Sequence, residues 1–174
     1  SRRIIIPSRA FNPVYLPLLT DDSHRYLVLY GGAGSGKSIF AAQRLLVRLL
    51  GRRHCNLLVA RAVMAAHRDS TYALFKQLVN AWGLERFFKF SEMRITCQNG
   101  NSVVFKGLDD PEKLKSITFA GGELTDLWIE EASELSLDQF NQLDLRLRGQ
   151  GNHKQMTLTF NPVSSFHWLK RRFF

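Results

Sequence analysis

The stretch GGAGSGKS, residues 31–38, decides the fold. Gly31, Gly36, Lys37 and Ser38 fit the P-loop (Walker A) pattern, a Gly, four free positions, then Gly-Lys-Ser or Gly-Lys-Thr. Gly32, Ala33, Gly34 and Ser35 fill the free positions. Glycines let the backbone curl tightly and turn successive N–H groups towards phosphate oxygens. The N-terminus of the helix that follows adds to that attraction. Lys37 supplies a full charge for the β- and γ-phosphates, and the Ser38 hydroxyl is a ligand for Mg²⁺. The flanks supply the context the motif demands. RYLVLY (25–30) reads as a short apolar strand, and SIFAAQRLLVRLL (38–50) has helical periodicity and stops at Gly51. Strand, glycine loop and helix together imply a nucleotide-binding α/β domain.

Length and composition agree with one domain. A chain of 174 residues with 45% hydrophobic content can bury one good core. No apolar run approaches the roughly 20 residues of a membrane span, and no secretory leader is visible. Cys55 and Cys97 have neither metal-ligand spacing nor a disulfide framework, which fits a reducing cytosol. The five histidines (24, 54, 67, 153 and 167) lack ligand spacing and read as surface or internally satisfied groups. The formal charge of +9 is uneven. Residues 1–68 hold 11 Lys/Arg against 2 acids, while residues 69–174 hold 13 of each sign. That basic first third suggests an anionic partner such as nucleic acid, lying near its phosphate backbone. The competing reading is a solvated basic face.

Residues 1–24 are irregular, because Pro7, Pro13 and Pro17 forbid a long helix. Within FNPVYLPLL (11–19), Phe11 or Tyr15 is placed to flank an adenine ring, with Asn12 available to its polar edge; ordinary packing of an N-terminal arm is the alternative. NLLVARA (56–62) reads as a second buried strand ending on Arg61, at the sheet edge where functional loops sit in open α/β folds. Asp69 or Ser70 caps a helix through TYALFKQLVNAW, with Gly83 as its stop. RITCQNGNSVVFKG (94–107) shows two alternating runs around Asn99-Gly100, a hairpin signal, and DDPEKLKS (109–116) a short helical turn.

ELTDLWIEEASEL (123–135) is the second informative stretch. A buried strand through Leu127, Trp128 and Ile129 ends in two adjacent carboxylates, Glu130 and Glu131. Successive strand residues point to opposite sides, so the pair need not share one job. A P-loop ATPase needs one acid beside Mg²⁺ and another to polarise the attacking water. Ser136 caps a further helix that closes at Gly149 and carries Arg146 and Arg148 near its end. KQMTLTFNPVSS (154–165) is another strand, broken at Asn161-Pro162, and FHWLKRRFF reads as the start of a helix.

In this order, the pieces resemble the ATPase domain of the large terminase subunit of tailed bacteriophages and prophages. FNPVY before GGAGSGKS looks like that family's adenine-binding segment and Walker A motif. VARA (59–62) looks like its strand ending in arginine, and LWIEEA (127–132) like Walker B, with Glu130 as the magnesium-associated acid and Glu131 as the catalytic glutamate. TLTFNP (157–162) looks like the motif coupling hydrolysis to movement, with Thr159 and Asn161 as the sensing groups. The resemblance implies a RecA-like P-loop fold of the ASCE type, with a mostly parallel central sheet, flanking helices and a small β-hairpin insertion. It implies ATP and Mg²⁺ as cofactors and a motor that drives double-stranded DNA into a procapsid in the host bacterial cytoplasm. The implied partners are the portal protein and procapsid, a small terminase subunit, and further copies of the chain in a homo-oligomeric ring; no membrane is involved.

Family members usually carry a C-terminal nuclease. Residues 1–174 leave no room for one, so the chain is expected to be a single N-terminal motor domain excised from a longer protein. Several relatives place an arginine in the Walker A loop, where this chain has Ala33 or Gly34. The charge at the γ-phosphate is then expected from Lys37, Arg61 or a neighbouring subunit, with Arg146 and Arg148 as candidates for that trans arginine. The expected mechanism is in-line attack by a water that Glu131 orients. Two rival readings stand beside it: another RecA-like translocase or helicase, and a nucleotide-gated DNA-binding assembly module without useful turnover.

Overall fold

The computed structural model describes residues 3–148 and 154–174. Gly149 and His153 lie outside the described residues. Seven strands form one sheet: β1 (Tyr26–Tyr30), β2 (Asn56–Arg61), β3 (Phe88–Ser91), β4 (Arg94–Cys97), β5 (Ser102–Gly107), β6 (Asp126–Glu130) and β7 (Gln155–Phe160). Their spatial order is β1-β7-β6-β2-β5-β4-β3. The five strands from β1 to β5 in that order run parallel, and β4 and β3 are antiparallel additions at one edge. The hairpin around Asn99-Gly100 is therefore continuous with the main sheet, because β5 pairs with β2 on its other side. Strand β3, four residues long, carries too little alternation to be read from sequence.

Parallel strands covered on both faces read as continuous apolar runs, and β2 shows why. Leu57 and Val59 face one core with Trp128, while Leu58 and Ala60 face a second core with Leu127 and Ile129. The first core is covered by α1 (Lys37–Gly51) and α2 (Thr71–Ala81), which contribute Phe40, Leu45, Leu46, Leu49, Phe75 and Val79. The short helix α3 (Pro111–Lys115) together with α4 (Leu137–Arg146) and α5 (Trp168–Phe173) covers the second, through Leu114, Phe140, Leu143 and Leu169. Gly51 is the last helical residue of α1, two positions before the place a glycine stop would take, and the chain turns out at Arg52. A capping box starts α4, with Ser136 accepting from the Gln139 N–H and Gln139 reaching back to Ser136.

Two contacts position the site from behind. The 3₁₀ turn Met64–His67 packs on the end of β5, where a Cβ on Gly107 would lie 2.2 Å from the Met64 backbone nitrogen. Only glycine permits that approach. Beneath the sheet, Arg48 of α1 donates through Nε and a terminal nitrogen to Asp126 Oδ1 at 3.0 and 2.7 Å. Thr125 Oγ1 and Cys55 Sγ occupy the second carboxylate oxygen at 2.7 and 3.4 Å. Burial and this carboxylate hold the Cys55 thiol well above its ordinary range.

Some cations of the basic first third are held inside the fold. Arg25 pairs with Asp144, Arg44 donates to the Leu18 and Asp21 carbonyls, and Arg48 pairs with Asp126. Burial lowers the Arg44 guanidinium to about 10. Three of the 11 Lys/Arg of residues 1–68 are thus engaged by internal carbonyls and carboxylates.

Candidate nucleotide site

The P-loop joins β1 to α1 at the carboxyl edge of the sheet, the edge where open α/β sheets bind ligands. Gly36 is the N-cap of α1 with φ 78°, and Gly34 has φ 77°. Both lie in the left-handed region that a side chain disfavours. Lys37 is buried and donates to Asn161 Oδ1 at 2.6 Å and to the Gly32 carbonyl at 3.2 Å. Ser35 Oγ is buried without a hydrogen-bond partner among the described residues. Gly31, Gly32, Ala33 and Gly34 complete the loop, and the Gly31 N–H continues the ladder from β1 to the Phe160 carbonyl.

The N-terminal arm splits the three residues suggested for an adenine. Tyr15 stacks on Phe40, with ring centroids 4.9 Å apart, and its hydroxyl donates to the Ser35 carbonyl at 2.9 Å. Asn12 also stands against the loop, its Nδ2 3.7 Å from where a Gly36 Cβ would be. Phe11 does not join them: it is 5% exposed and edge-on to Trp82. An aromatic flanked by prolines satisfies either role by sequence, and in the fold Phe11 packs beneath the arm.

Period-two alternation places Glu130 on the Trp128 face of β6, towards α1. Its Oε1 accepts from Ser38 Oγ at 2.7 Å, and its Oε2 accepts from Thr159 Oγ1. Burial raises the Glu130 pKa and the neighbouring Glu131 charge adds to that, opposed by the hydrogen bonds from Thr159 and Ser38 and by Arg61. Thr159 also receives the indole N–H of Trp128 at 2.9 Å. Two residues on, Asn161 holds Lys37. The end of β7 thus touches both the lysine of the loop and the acid of the neighbouring strand. In the sequence Trp128 is legible only as an apolar strand residue, although a buried indole N–H does require a partner.

Glu131 departs from the strand. Its φ of 52° and ψ of 52° put a non-glycine residue in the left-handed region, and its carboxylate has no hydrogen-bond or ion-pair partner among the described residues. Such a conformation costs on the order of 1–3 kcal/mol and persists where the surroundings impose it. A 3₁₀ turn, Ala132–Glu134, follows directly.

Arg61, at the end of β2, donates to Ser70 Oγ at 3.0 Å and to Glu134 Oε1 at 3.4 Å, and its Nε is buried without a partner among the described residues. Ser70 is the N-cap of α2 but does not cap by its side chain; its hydroxyl donates to the Ala66 carbonyl at 2.6 Å instead. Nothing in the sequence marks Ser70 or Glu134 as a partner of Arg61, since one reads as a helix cap and the other is distant and lies in a turn. A cavity of about 250 Å³ opens beside this group, lined by Ser38, Glu130, Trp128 and the first turns of α2.

Behind Arg61, His67 is fully buried between Thr71 Oγ1 (2.6 Å) and the Lys106 carbonyl (2.7 Å). The carbonyl only accepts, so Nε2 carries the proton. Burial lowers its pKa from 6.5 to about 4. The folded protein therefore resists protonation that the unfolded chain accepts. Stability should be complete above pH 6.5 and fall as the pH drops towards 4, by up to about 3 kcal/mol. Urea midpoints measured between about pH 7 and pH 4.5 check this, and the slope should flatten in His67→Gln.

Arg146 and Arg148 lie elsewhere. They line a cavity of about 420 Å³ with Leu124 and Lys154, just before β6 and β7 begin, at the opposite edge of the sheet from the P-loop. Arg148 also approaches Asp144 at 3.7 Å. Neither reaches the site of its own chain. Among the described residues, no group of three or more His, Cys, Asp or Glu is arranged to hold a metal, and no helix is long and apolar enough to cross a membrane.

The family described as "Phage terminase large subunit" matches residues 23–174. The PBSX phage terminase large subunit of Bacillus subtilis is 35% identical over 168 residues, which cover 95% of this chain and 38% of that protein. Among solved structures, the large terminase of a thermophilic bacteriophage superimposes with a TM-score of 0.75 at 16% identity, over 94% of this chain and 42% of that one. The same phage protein in complex with ATP-gamma-S gives a TM-score of 0.70 at 18% identity, over 94% and 41%. These likenesses make the fold a RecA-like P-loop fold, and the chain spans well under half the length of these relatives. With the family's match extending from before the P-loop strand to Phe174, this chain belongs to the phage terminase large subunit family.

Proposed function

We propose that this chain is the ATP-hydrolysing motor domain of a DNA-packaging terminase, translocating double-stranded DNA into a procapsid as part of a ring of subunits at the portal. The observation that carries the reading is the double contact of β7. Thr159 bonds the acid Glu130 while Asn161 bonds Lys37, so a nucleotide that engages Lys37 must disturb the strand that also steadies Glu130. A static nucleotide clamp needs no such link; a motor does. That a relative of this fold is known in complex with ATP-gamma-S supports the choice of ATP.

The residues present suit Mg²⁺. Ser38 and Glu130 offer hard oxygen donors already 2.7 Å apart, the ligand class Mg²⁺ prefers. When bound there, the ion neutralises charge on the β- and γ-phosphates. The chain's own groups do the rest. Lys37 exchanges Asn161 for phosphate oxygens, the α1 N-terminus faces the anion, and the unpartnered Glu131 carboxylate accepts a proton from the attacking water. Arg61 stands on the rim beside Glu130, and Arg146 or Arg148 would serve only a neighbouring subunit. A nuclease domain would lie in the rest of the full-length protein.

The test is phosphate release from Mg-ATP, measured over a range of protein concentration with and without linear duplex DNA. Hydrolysis should rise with assembly and with duplex DNA, without strand separation. Strand displacement would favour a helicase, and binding without turnover at any concentration would favour an assembly module.

A further inference from the structure

The acidic turn after β6 carries a second carboxylate whose place is unexplained. Glu134 lies three residues beyond Glu131, and its N–H donates to the Glu131 carbonyl at 2.9 Å, closing the turn that begins with the left-handed residue. Its side chain extends to Arg61, which is only 13% exposed and also held by Ser70 at the start of α2. Ser70 is tied in turn to Ala66 of the Met64–His67 turn. Arg61 therefore straps three pieces together: the end of β2, the α2 N-terminus and the turn that sets Glu131. Apart from Glu134, the titratable groups facing Arg61 are Glu130, whose ionised form it favours, and the neutral His67, whose protonation it opposes.

On the reading that this site hydrolyses a nucleoside triphosphate, we propose that Glu134 is a positioning residue for that reaction, acting through Arg61. Exposed ion pairs add little to global stability, but this one spans a turn whose first residue is strained. The pair and the strain are of the same order, so the pair decides how much of the time the turn keeps Glu131 over the site. Glu134 touches neither nucleotide nor metal. Its loss changes the occupancy of the productive turn and leaves the nucleotide-binding surfaces intact.

The experiment is a double-mutant cycle on Glu134→Gln and Arg61→Gln, read as kcat and KM for ATP and as hydrogen exchange of the Glu134 amide. Glu134→Gln should lower kcat roughly 5–20-fold, the range of coupled neighbouring residues, with KM changed less than about twofold and an unchanged urea midpoint. Glu134→Asp should recover most of the rate. The double variant should be no slower than Arg61→Gln alone, and the amide should exchange equally fast in both single variants and the double. Effects that multiply in the double variant, or unaltered exchange in Glu134→Gln, overturn the proposal. If the wild-type protein releases no phosphate, the hydrolytic reading fails by itself, and the exchange measurements still decide whether the strap exists.

Discussion

Turnover in Glu131→Gln is expected to fall by about 10²–10⁴, the usual consequence of losing a positioned base, with Mg-ATP affinity nearly intact. The expectation follows from the contrast between two adjacent carboxylates. Glu130 is buried and has both oxygens occupied, by Ser38 and Thr159. Glu131 stands beyond the strand end, without a partner among the described residues and in a backbone conformation that breaks the strand. Glutamine there keeps the shape but cannot take the water's proton. Glu130→Gln should instead weaken the dependence on Mg²⁺, because the metal loses a charged neighbour. Glutamine also brings an N–H₂ group to a position where two hydroxyls donate, so one of them must turn. Lys37→Ala, the control, should impair nucleotide binding itself. Nucleotide affinity and single-turnover hydrolysis across the three variants separate these roles. A Glu131→Gln protein at wild-type rate, beside a Glu130→Gln protein that binds Mg-ATP and is inert, reverses the assignment.

The second large effect is on stability and involves no nucleotide. Asp126→Ala is expected to cost about 3–5 kcal/mol, the range for breaking a buried ion pair by deleting one partner. Asp126 is 1% exposed and Arg48 7%. The deletion leaves the Arg48 guanidinium buried beside Asp22, whose oxygen is 4.0 Å away and half in solvent, and leaves the Thr125 hydroxyl only the Asn56 carbonyl, at 3.4 Å, as acceptor. Against a typical domain stability of about 5–15 kcal/mol, that is a large share. Asp126→Asn should cost less, because it keeps an acceptor for Arg48. Replacing both partners by apolar residues, as in Arg48→Met with Asp126→Leu, should recover most of the loss. Urea denaturation of the wild type and these variants decides it: equal midpoints for Asp126→Ala and the double variant would show that the unpaired charge is not the cause.

The readability of the sequence divides by the range of the interactions. The P-loop is legible because its chemistry is local: glycines at two left-handed positions, a lysine and a serine, all within one short loop. The acidic strand end is legible because an apolar run must stop somewhere, and here it stops on carboxylates. Thr159 and Asn161 stand out in the sequence only through the family resemblance, and the fold brings both beside the loop and Glu130. What could not be read is long-range pairing. Nothing in RLLVRLL says that Arg48 meets an acid 78 residues away, or that Arg61 meets Glu134 beyond the end of the neighbouring strand. Charge counts likewise do not reveal which guanidinium groups of the first third fold inwards, as those of Arg44 and Arg48 do. Phe11 is ambiguous because an aromatic ring packs equally well against a base or a tryptophan.

The order of strands carries a consequence for how this protein comes into being. The strand that leads into the P-loop, β1, sits at the sheet edge and among the described strands pairs with β7 alone, with Tyr26 opposite Met156. During synthesis β1 leaves the ribosome early and has no strand to pair with until β7, ending at Phe160, has followed. Closing so long a loop is entropically costly and slow compared with local pairing. A nascent chain that halts before β7 therefore holds a glycine loop without a nucleotide site, and one edge of β6 stays open. On the proposed function, nucleotide affinity in this domain is expected to emerge last, once the chain has been completed through β7.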